Sequence, residues 1–220
     1  MNKKEAIVDT CFFNKLSCDG KDIETFKKVL ADLEFFPVVH PYIAMKELDV
    51  FPNFSKLVDE GFVRVIPYEE FIEDDDDQKM YEDFFHDLYT EMKTYHETME
   101  SRKQMLPLEL PKGATIYTYR RAGMSLGDVH IILMAFFMHL PIILSEDSDI
   151  DFLRSAIARK ISRDDYNVEI YDVMDLVMMI AQNKETSISK KEIEKIVLNV
   201  NERRRLSEVK KKWTENHSTP

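Results

Sequence analysis

The stretch SLGDVHIILMAFFMHLPIILSEDSD, residues 125–149, contains the longest apolar run of the chain. It predicts a buried helix over 125–140 and then a buried strand, PIILS. Acidic residues stand at both ends of the run, with Asp128 near its start and Asp147 and Asp149 just beyond it. Burial of an ionised group is costly unless a partner compensates its charge. We therefore expect a cation to pair with these carboxylates.

The rest of the chain alternates between short apolar segments and helical patterns. Strands are expected at EAIVDT, GFVRVIP and NVEIYDV, in addition to PIILS. Short apolar strands between helices favour a parallel sheet that helices cover on both faces. The predicted fold class is therefore α/β, a three-layer α/β/α arrangement around a short central parallel sheet.

The composition is typical of a folded domain in a reducing compartment. A chain of 220 residues with 44% hydrophobic residues is able to fill one large core, which excludes wholesale disorder. Cys11 and Cys18 have no partners at zinc-ligand spacing and form no disulfide framework. The N-terminus lacks a signal-peptide pattern, and the apolar run is too short and too interrupted to cross a bilayer. The sequence predicts a cytoplasmic protein with no membrane partner.

The acidity of the chain belongs to one segment. Residues 68–100 contain 13 acids and two bases, which accounts for the whole net charge of -11, so an anionic substrate is not excluded elsewhere. We expect a solvated loop through the run DDDD and then one long helix over 78–105. A heptad stripe on this helix consists of Tyr81, Phe85, Leu88, Met92, Tyr95 and Met99. The favoured interpretation packs the stripe on its own domain, and the alternative is a homodimer or inhibitor-protein contact through 78–106.

A last helix follows the capping box Ser189–Glu192 and ends in basic runs. The predicted organisation is thus one domain over 1–182, with an acidic helical insertion at about 68–111, and a C-terminal helix with a basic tail over 183–220. The candidate phosphate contacts are Arg120, Arg121, Arg203, Arg204 and Arg205. A solvated helix end that complements the helix dipole explains the tail equally well. The acidic segment would restrain the protein if it folded over these bases.

Acids also follow the other predicted strands. Asp9 closes the first strand, and Glu47 lies on a helix after Pro41. Because ligands bind beyond the carboxyl ends of strands in open α/β sheets, we expect these two acids to converge with Asp128, Asp147 and Asp149. Mg²⁺ and Mn²⁺ prefer oxygen ligands and often bridge to phosphates. The pattern favours metal-assisted phosphodiester chemistry, and the alternative role for each Asp is to cap a helix.

At these residues the chain resembles the PIN domain family, a metal-dependent ribonuclease fold shared by many bacterial toxins and RNA-processing enzymes. The matching segments are IVDT, HPYIAMKEL, LGDVHIILMA and LSEDSD, and NVEIYDVMDLV resembles the last strand and helix of such domains. The resemblance covers about residues 5–180 without the acidic segment. The chain departs from the compact bacterial pattern in the 68–111 insertion and in the tail after Gln182.

The resemblance implies an endoribonuclease that hydrolyses RNA, preferably single-stranded, with a metal-activated water. Asp9, Glu47, Asp128 and Asp147 would hold Mg²⁺ or Mn²⁺, and Asp149 would be a further ligand or a neighbouring acid. The supporting residues would be Thr10 and Ser145, which would orient carboxylates or water. The alternatives are a catalytically degenerate RNA- or protein-binding regulatory module and a DNA nuclease of related fold.

Overall fold

The computed structural model describes residues 4–51, 53–99, 105–121, 124–161 and 167–217. These residues form an all-parallel five-stranded sheet with the order β3-β2-β1-β4-β5. The strands are β1 (Lys4–Val8), β2 (Phe35–Val39), β3 (Arg64–Val65), β4 (Ile142–Leu144) and β5 (Glu169–Tyr171). The helices are α1 (Thr10–Leu16), α2 (Ile23–Asp32), α3 (Pro41–Ile43), α4 (Phe54–Asp59), α5 (Asp75–Thr98), α6 (Leu126–Phe137), α7 (Ser148–Ile161), α8 (Val173–Gln182), α9 (Lys190–Asn199) and α10 (Leu206–His217).

Helices flank the sheet in two groups. α5, α6 and α7 pack on one another, and α1 packs on α2 and α8, with α9 and α10 against α8. The buried strands are apolar, as a parallel sheet covered on both faces requires, with Ala6, Ile7 and Val8 of β1 at most 1% exposed. The predicted α/β fold class with a parallel sheet between helical layers is confirmed.

The insertion helix α5 begins three residues before the predicted start at Gln78. The acids of DDDD were expected in a loop, but Asp75–Asp77 form the first helical turn, where their charges complement the helix dipole. The side chain of Asp74 caps this turn by accepting from the N–H groups of Asp76 and Asp77. The helix ends at Thr98, and residues 100–104, near its predicted end, lie outside the described residues.

The heptad stripe of α5 packs inside the chain at its N-terminal end. Tyr81, Phe85, Leu88 and Met92 are fully buried, whereas Tyr95 is 38% and Met99 63% exposed. The acidic helix pairs with α7 through Lys160, which contacts Asp87 and Glu91. These contacts agree with the interpretation that the stripe packs on its own domain, and they leave only its C-terminal end for a partner.

Residues 183–217 form two helices and not the single helix predicted. α9 starts at the expected capping box, and the chain then turns through Arg203–Arg205 into α10. Ile193, Val197 and Val209 are completely buried in the core of the protein. The C-terminal region is therefore packed on the α/β domain through α8. None of the helices in the described parts of the chain combines the length and apolar character that a bilayer crossing requires.

A buried chain of hydrogen bonds links Tyr81 of α5 to His40, which follows β2, and to His130 of α6. The Tyr42 N–H donates to His40 Nδ1, so that His40 Nε2 carries a proton and donates to the Tyr81 hydroxyl at 3.1 Å. His130 Nε2 donates to the carbonyl of Ile116, so that its Nδ1 accepts from the Tyr81 hydroxyl at 2.7 Å. In this series of hydrogen bonds each hydrogen has one donor and one acceptor, and both imidazole rings are neutral. Burial lowers the pKa of His40, with His130 adding to the effect, and lowers that of His130 to about 3.

Candidate metal centre at the carboxyl edge of the sheet

The candidate site lies where the strand order of the sheet reverses. β1 and β4 are neighbours, but the chain continues from β1 toward β2 and from β4 toward β5, on opposite sides. Such a reversal leaves a crevice beyond the carboxyl ends of the strands, which is where open α/β sheets bind ligands. Asp9 directly follows β1, and its N–H donates to the carbonyl of Leu144 at the end of β4. Residues that follow these two strands are thereby brought together.

Three of the predicted acids form a compact group. One carboxylate oxygen from each of Asp128, Asp147 and Asp149 lies within 4.8 Å of the other two. Asp128 belongs to the first turn of α6 and Asp149 to that of α7, while Asp147 lies in the loop between β4 and α7. Asp128 is 8% and Asp149 4% exposed, so that two of the three carboxylates are almost withdrawn from water.

Asp9 adjoins this group through Ser145. The Ser145 hydroxyl donates to Asp9 Oδ2 at 2.7 Å and accepts from the Asp147 N–H at 3.0 Å. The Cys11 thiol donates to the same Asp9 oxygen at 2.6 Å. Burial raises the pKa of Asp9 above its ordinary value, the Cys11 and Ser145 hydrogen bonds oppose this, and the charge of Asp147 adds to the rise. Ser145 therefore lies where it was expected to orient a carboxylate.

Glu47 completes the patch on the other side of Asp9. It lies in a π-helical turn, Ala44–Leu48, a helical irregularity that occurs frequently at functional sites. Thr10 donates to Glu47 Oε2 at 2.6 Å. Burial raises the pKa of Glu47, with Asp9 adding to the rise and both the Thr10 hydrogen bond and the Arg120 charge opposing it. The five acids are together called the acidic patch, in which Asp9 and Glu47 lie outside the 4.8 Å group.

Gly127 lets Glu47 approach this group. A Cβ atom at position 127 would lie 2.5 Å from Glu47 Oε1 and 2.6 Å from Ile43 Cδ1, closer than real Cβ contacts allow. The residue that begins the same turn, Ser125, has a left-handed backbone with φ of 49°, which is unusual for a residue other than glycine. The glycine at position 127 therefore lets Glu47 lie against the first turn of α6, the turn that carries Asp128.

The residues fit a hard divalent cation. The 4.8 Å group offers carboxylate oxygens only, without histidine or cysteine, and this donor set suits Mg²⁺ or Mn²⁺. Two unit charges about 4 Å apart repel by roughly 4 kcal/mol at an effective dielectric constant near 20. A divalent cation would turn this repulsion into attraction. The donor set and the burial of Asp128 and Asp149 are the observations on which this fit depends.

Helix capping, the alternative role for these acids, holds for only one of the two strand-end acids. Asp147 Oδ1 accepts from the Asp149 N–H at 2.9 Å and so caps the start of α7. Asp9 occupies the position before α1, but its side chain forms no capping hydrogen bond. Its carboxylate instead accepts from Ser145 and Cys11. Capping therefore does not account for the placement of Asp9.

Two residues at the site were not predicted to take part. His96 of α5 lies with Nε2 3.0 Å from Asp149 Oδ1, and the Cys11 thiol donates to Asp9. Burial raises the pKa of the Cys11 thiol, with the Asp9 charge adding to the rise, so the thiol is a donor and not a nucleophile. His96 follows the buried stripe residue Met92 by four positions, which places it on the inner side of α5. From this spacing the sequence could have predicted that His96 faces the interior.

A cleft of about 350 Å³ opens beside Glu47. Its lining includes Thr10 and Glu47 of the acidic patch, the apolar side chains of Val50 and Phe51, and the exposed residues Arg120 and Arg121. The two predicted arginines therefore lie next to the candidate metal centre. Their guanidinium groups make this side of the cleft positively charged.

The second predicted arginine cluster, Arg203–Arg205, also lies near this edge of the sheet. Lys15 pairs with Glu146, which precedes Asp147, and also with Glu202, which precedes the arginines. Arg205 pairs with Glu208, while Arg203 and Arg204 are exposed. The cluster Arg203–Arg205 thus begins next to the loop that carries Asp147.

Comparisons of the chain with protein-family models, curated proteins and solved structures found no match.

Proposed function

We propose that this protein is a PIN-like, metal-dependent ribonuclease. The proposal depends on one observation: acids from distant parts of the chain meet at the strand-order reversal between β1 and β4. The separation between Asp9 and Ser145, 136 residues, shows that the patch is a product of the fold and not of a local acidic run. The acidic run of the insertion, which starts at Asp74, contributes no carboxylate to the 4.8 Å group.

The proposed ligands of Mg²⁺ or Mn²⁺ are Asp128, Asp147 and Asp149, with Asp9 and Glu47 beside them. When bound, such an ion supplies activation of the attacking water and neutralisation of charge on the phosphate. Ser145 and Thr10 keep Asp9 and Glu47 in fixed orientations through hydrogen bonds of 2.7 and 2.6 Å. Fixed carboxylates reduce the reorganisation that ligand binding requires.

The cleft beside Glu47 favours an unpaired, anionic substrate. Arg120 and Arg121 would contact phosphate oxygens, and Phe51 and Val50 would contact an exposed base. A cleft of about 350 Å³ has room for a group of roughly one unpaired nucleotide. Single-stranded RNA is therefore the proposed substrate, with Arg203 and Arg204 on a second path for its backbone.

The test is cleavage of labelled single-stranded RNA in the presence of Mn²⁺. Wild-type protein should cut, and Asp9→Asn and Asp128→Asn should not. Asp151→Asn is the matched control, because Asp151 is an exposed acid in the first turn of α7 that pairs with Arg154 of the same helix. Equal cleavage by wild type and both site variants would refute the proposal. RNA binding without cleavage by wild type would assign the chain to the binding-module alternative, and a preference for DNA would assign it to the DNA nucleases.

A further inference from the structure

His96 connects the insertion helix to the candidate metal centre. It lies near the C-terminal end of α5, 53 residues before Asp149, and its Nε2 is 3.0 Å from Asp149 Oδ1. His96 is 7% and Asp149 4% exposed, so that water hardly reaches this contact. The insertion thus supplies a side chain that contacts an acid of the 4.8 Å group.

The two nitrogens of the His96 ring are in unequal situations. Nε2 faces a carboxylate oxygen, and a ring nitrogen in that position carries the proton and donates it. Nδ1 is buried without a hydrogen-bond partner among the described residues. A buried polar atom without a partner destabilises the fold, and an apolar side chain of similar size would avoid this cost. The bond to Asp149 is therefore the feature of His96 that an apolar residue would lack.

The last turns of α5 are fixed against the helix that carries Asp149. Tyr95 stacks on Phe152 of α7 with ring centroids 4.4 Å apart and an interplanar angle of 21°. One turn earlier, Glu91 pairs with Lys160 of the same helix. Because these contacts hold α5 on α7, the donor nitrogen of His96 is kept in one place relative to Asp149.

We propose that His96 is a positioning residue, which fixes the Asp149 carboxylate in the orientation that binds the divalent cation. The insertion is then a part of the metal centre and not an appendage to it. This inference rests on the proposed function, since it concerns the same centre. Partners of metal-binding carboxylates typically contribute about 10- to 100-fold to metal affinity or activity.

The experiment measures Mn²⁺ binding to the full-length chain by calorimetry, together with the melting temperature without metal. His96→Leu removes the donor and should weaken Mn²⁺ binding by about 10- to 100-fold. His96→Gln keeps an N–H donor at about the reach of Nε2 and should restore most of the affinity. His86→Gln, which changes an exposed histidine on the same helix, is the matched control and should bind Mn²⁺ as wild type does.

A double variant shows whether His96 acts through Asp149. In an Asp149→Asn background, His96→Leu should cause little further loss of Mn²⁺ affinity, because the orientation of the carboxylate no longer matters. A second loss of full size would overturn the inference, and so would wild-type affinity in His96→Leu alone. If His96→Leu melts far below wild type, His96→Asn replaces it, since the shorter amide does not reach Asp149.

The two proposals fail in different ways. Absence of Mn²⁺ binding and of RNA cleavage in wild type would remove the proposed function and this inference together. Wild-type binding that His96→Leu and His96→Asn leave unchanged would remove the inference alone. Loss of binding that His96→Gln does not restore would also overturn it, because the bulk of the ring and not its donor would then be what matters.

Discussion

Two buried polar clusters in this protein differ in their balance of hydrogen-bond donors and acceptors. In the chain of His40, Tyr81 and His130, donors and acceptors alternate, and every proton has one acceptor. In the acidic patch, acceptors crowd together, and the groups that donate to Asp9 are the uncharged side chains of Ser145 and Cys11. The first cluster pairs each of its donors with one acceptor, whereas the second gathers three carboxylates within 4.8 Å of one another. A satisfied cluster holds the fold together, and an acceptor-rich cluster is suited to a ligand from outside.

The largest expected effect is on catalysis. Asp128→Asn should lower the rate of RNA cleavage by at least about 100-fold, because it removes one charge from the group that holds the cation. The same change should raise the melting temperature without metal, since it relieves repulsion in the patch. Single-turnover cleavage assays and thermal melts measure the two effects. A melting temperature that falls would show that the patch, like the histidine chain, stabilises the fold.

The second effect is on stability. Tyr81→Phe should lower the free energy of unfolding by about 1–3 kcal/mol, because it leaves His40 Nε2–H and His130 Nδ1 buried without a partner. Urea denaturation measures this loss. Tyr95→Phe serves as the control, since Tyr95 lies on the same helix and is 38% exposed. Equal stability of the two variants would contradict the assignment of Tyr81 as the centre of a satisfied chain.

The third effect tests how the patch is packed. Gly127→Ala places a Cβ atom against Glu47 Oε1 and should weaken Mn²⁺ binding by about tenfold. Alanine within a helix is otherwise favourable relative to glycine by about 1 kcal/mol. Calorimetry measures the Mn²⁺ affinity, and thermal melting measures the stability. Loss of affinity without loss of stability would therefore indicate that Glu47 has been displaced. Unchanged affinity would mean that Glu47 is not a ligand.

The smallest effect is the dependence of stability on pH. The folded-state pKa values of His40 and His130 are lowered, so the unfolded chain binds more protons than the folded chain below about pH 6.5. The free energy of unfolding should then fall by about 1 kcal/mol per histidine between pH 7 and pH 5.5. The raised pKa values of Asp9 and Glu47 act in the opposite direction, because protonation favours the folded state at these carboxyl groups.

Asp9→Asn separates these two contributions. It removes the opposing carboxyl group, so that the fall in stability between pH 7 and pH 5.5 should become steeper than in wild type. Urea denaturation at several pH values measures both slopes. A shallower slope in the variant would mean that protonation of Asp9 lowers the stability, as protonation of the histidines does. That result would contradict the opposite effects expected for the two kinds of group.

Hydrophobic periodicity predicted the fold, because buried strands and amphipathic helices place apolar residues at characteristic spacings. The apolar strand PIILS and the stripe of α5 follow the periods of a buried strand and an amphipathic helix, and both elements form. The start of α5 was predicted too late, because the acids after Asp74 were interpreted by their mutual repulsion and not by their favourable place in a first helical turn. The tail was predicted as one helix, since its basic runs hide the turn at Arg203–Arg205.

The candidate site was predictable only where strand ends specified it. Asp9 directly follows β1, and Asp147 lies three residues after the end of β4, so topology alone brings them to one edge. The contact of His96 depends on how the insertion packs on α7, and no local pattern encodes that packing. The role of Gly127 depends on its close approach to Glu47. A single sequence gives no information on the distance between these two segments.

The span of 136 residues between Asp9 and Ser145 also fixes when the patch is able to form during synthesis. Translation proceeds from the N-terminus, so the first strand leaves the ribosome long before the loop that follows β4 exists. Until the segment through Asp149 has emerged, only Asp9 and Glu47 are free to meet, and the three-carboxylate group is absent. A nascent chain that ends before Asp149 therefore lacks part of the three-carboxylate group.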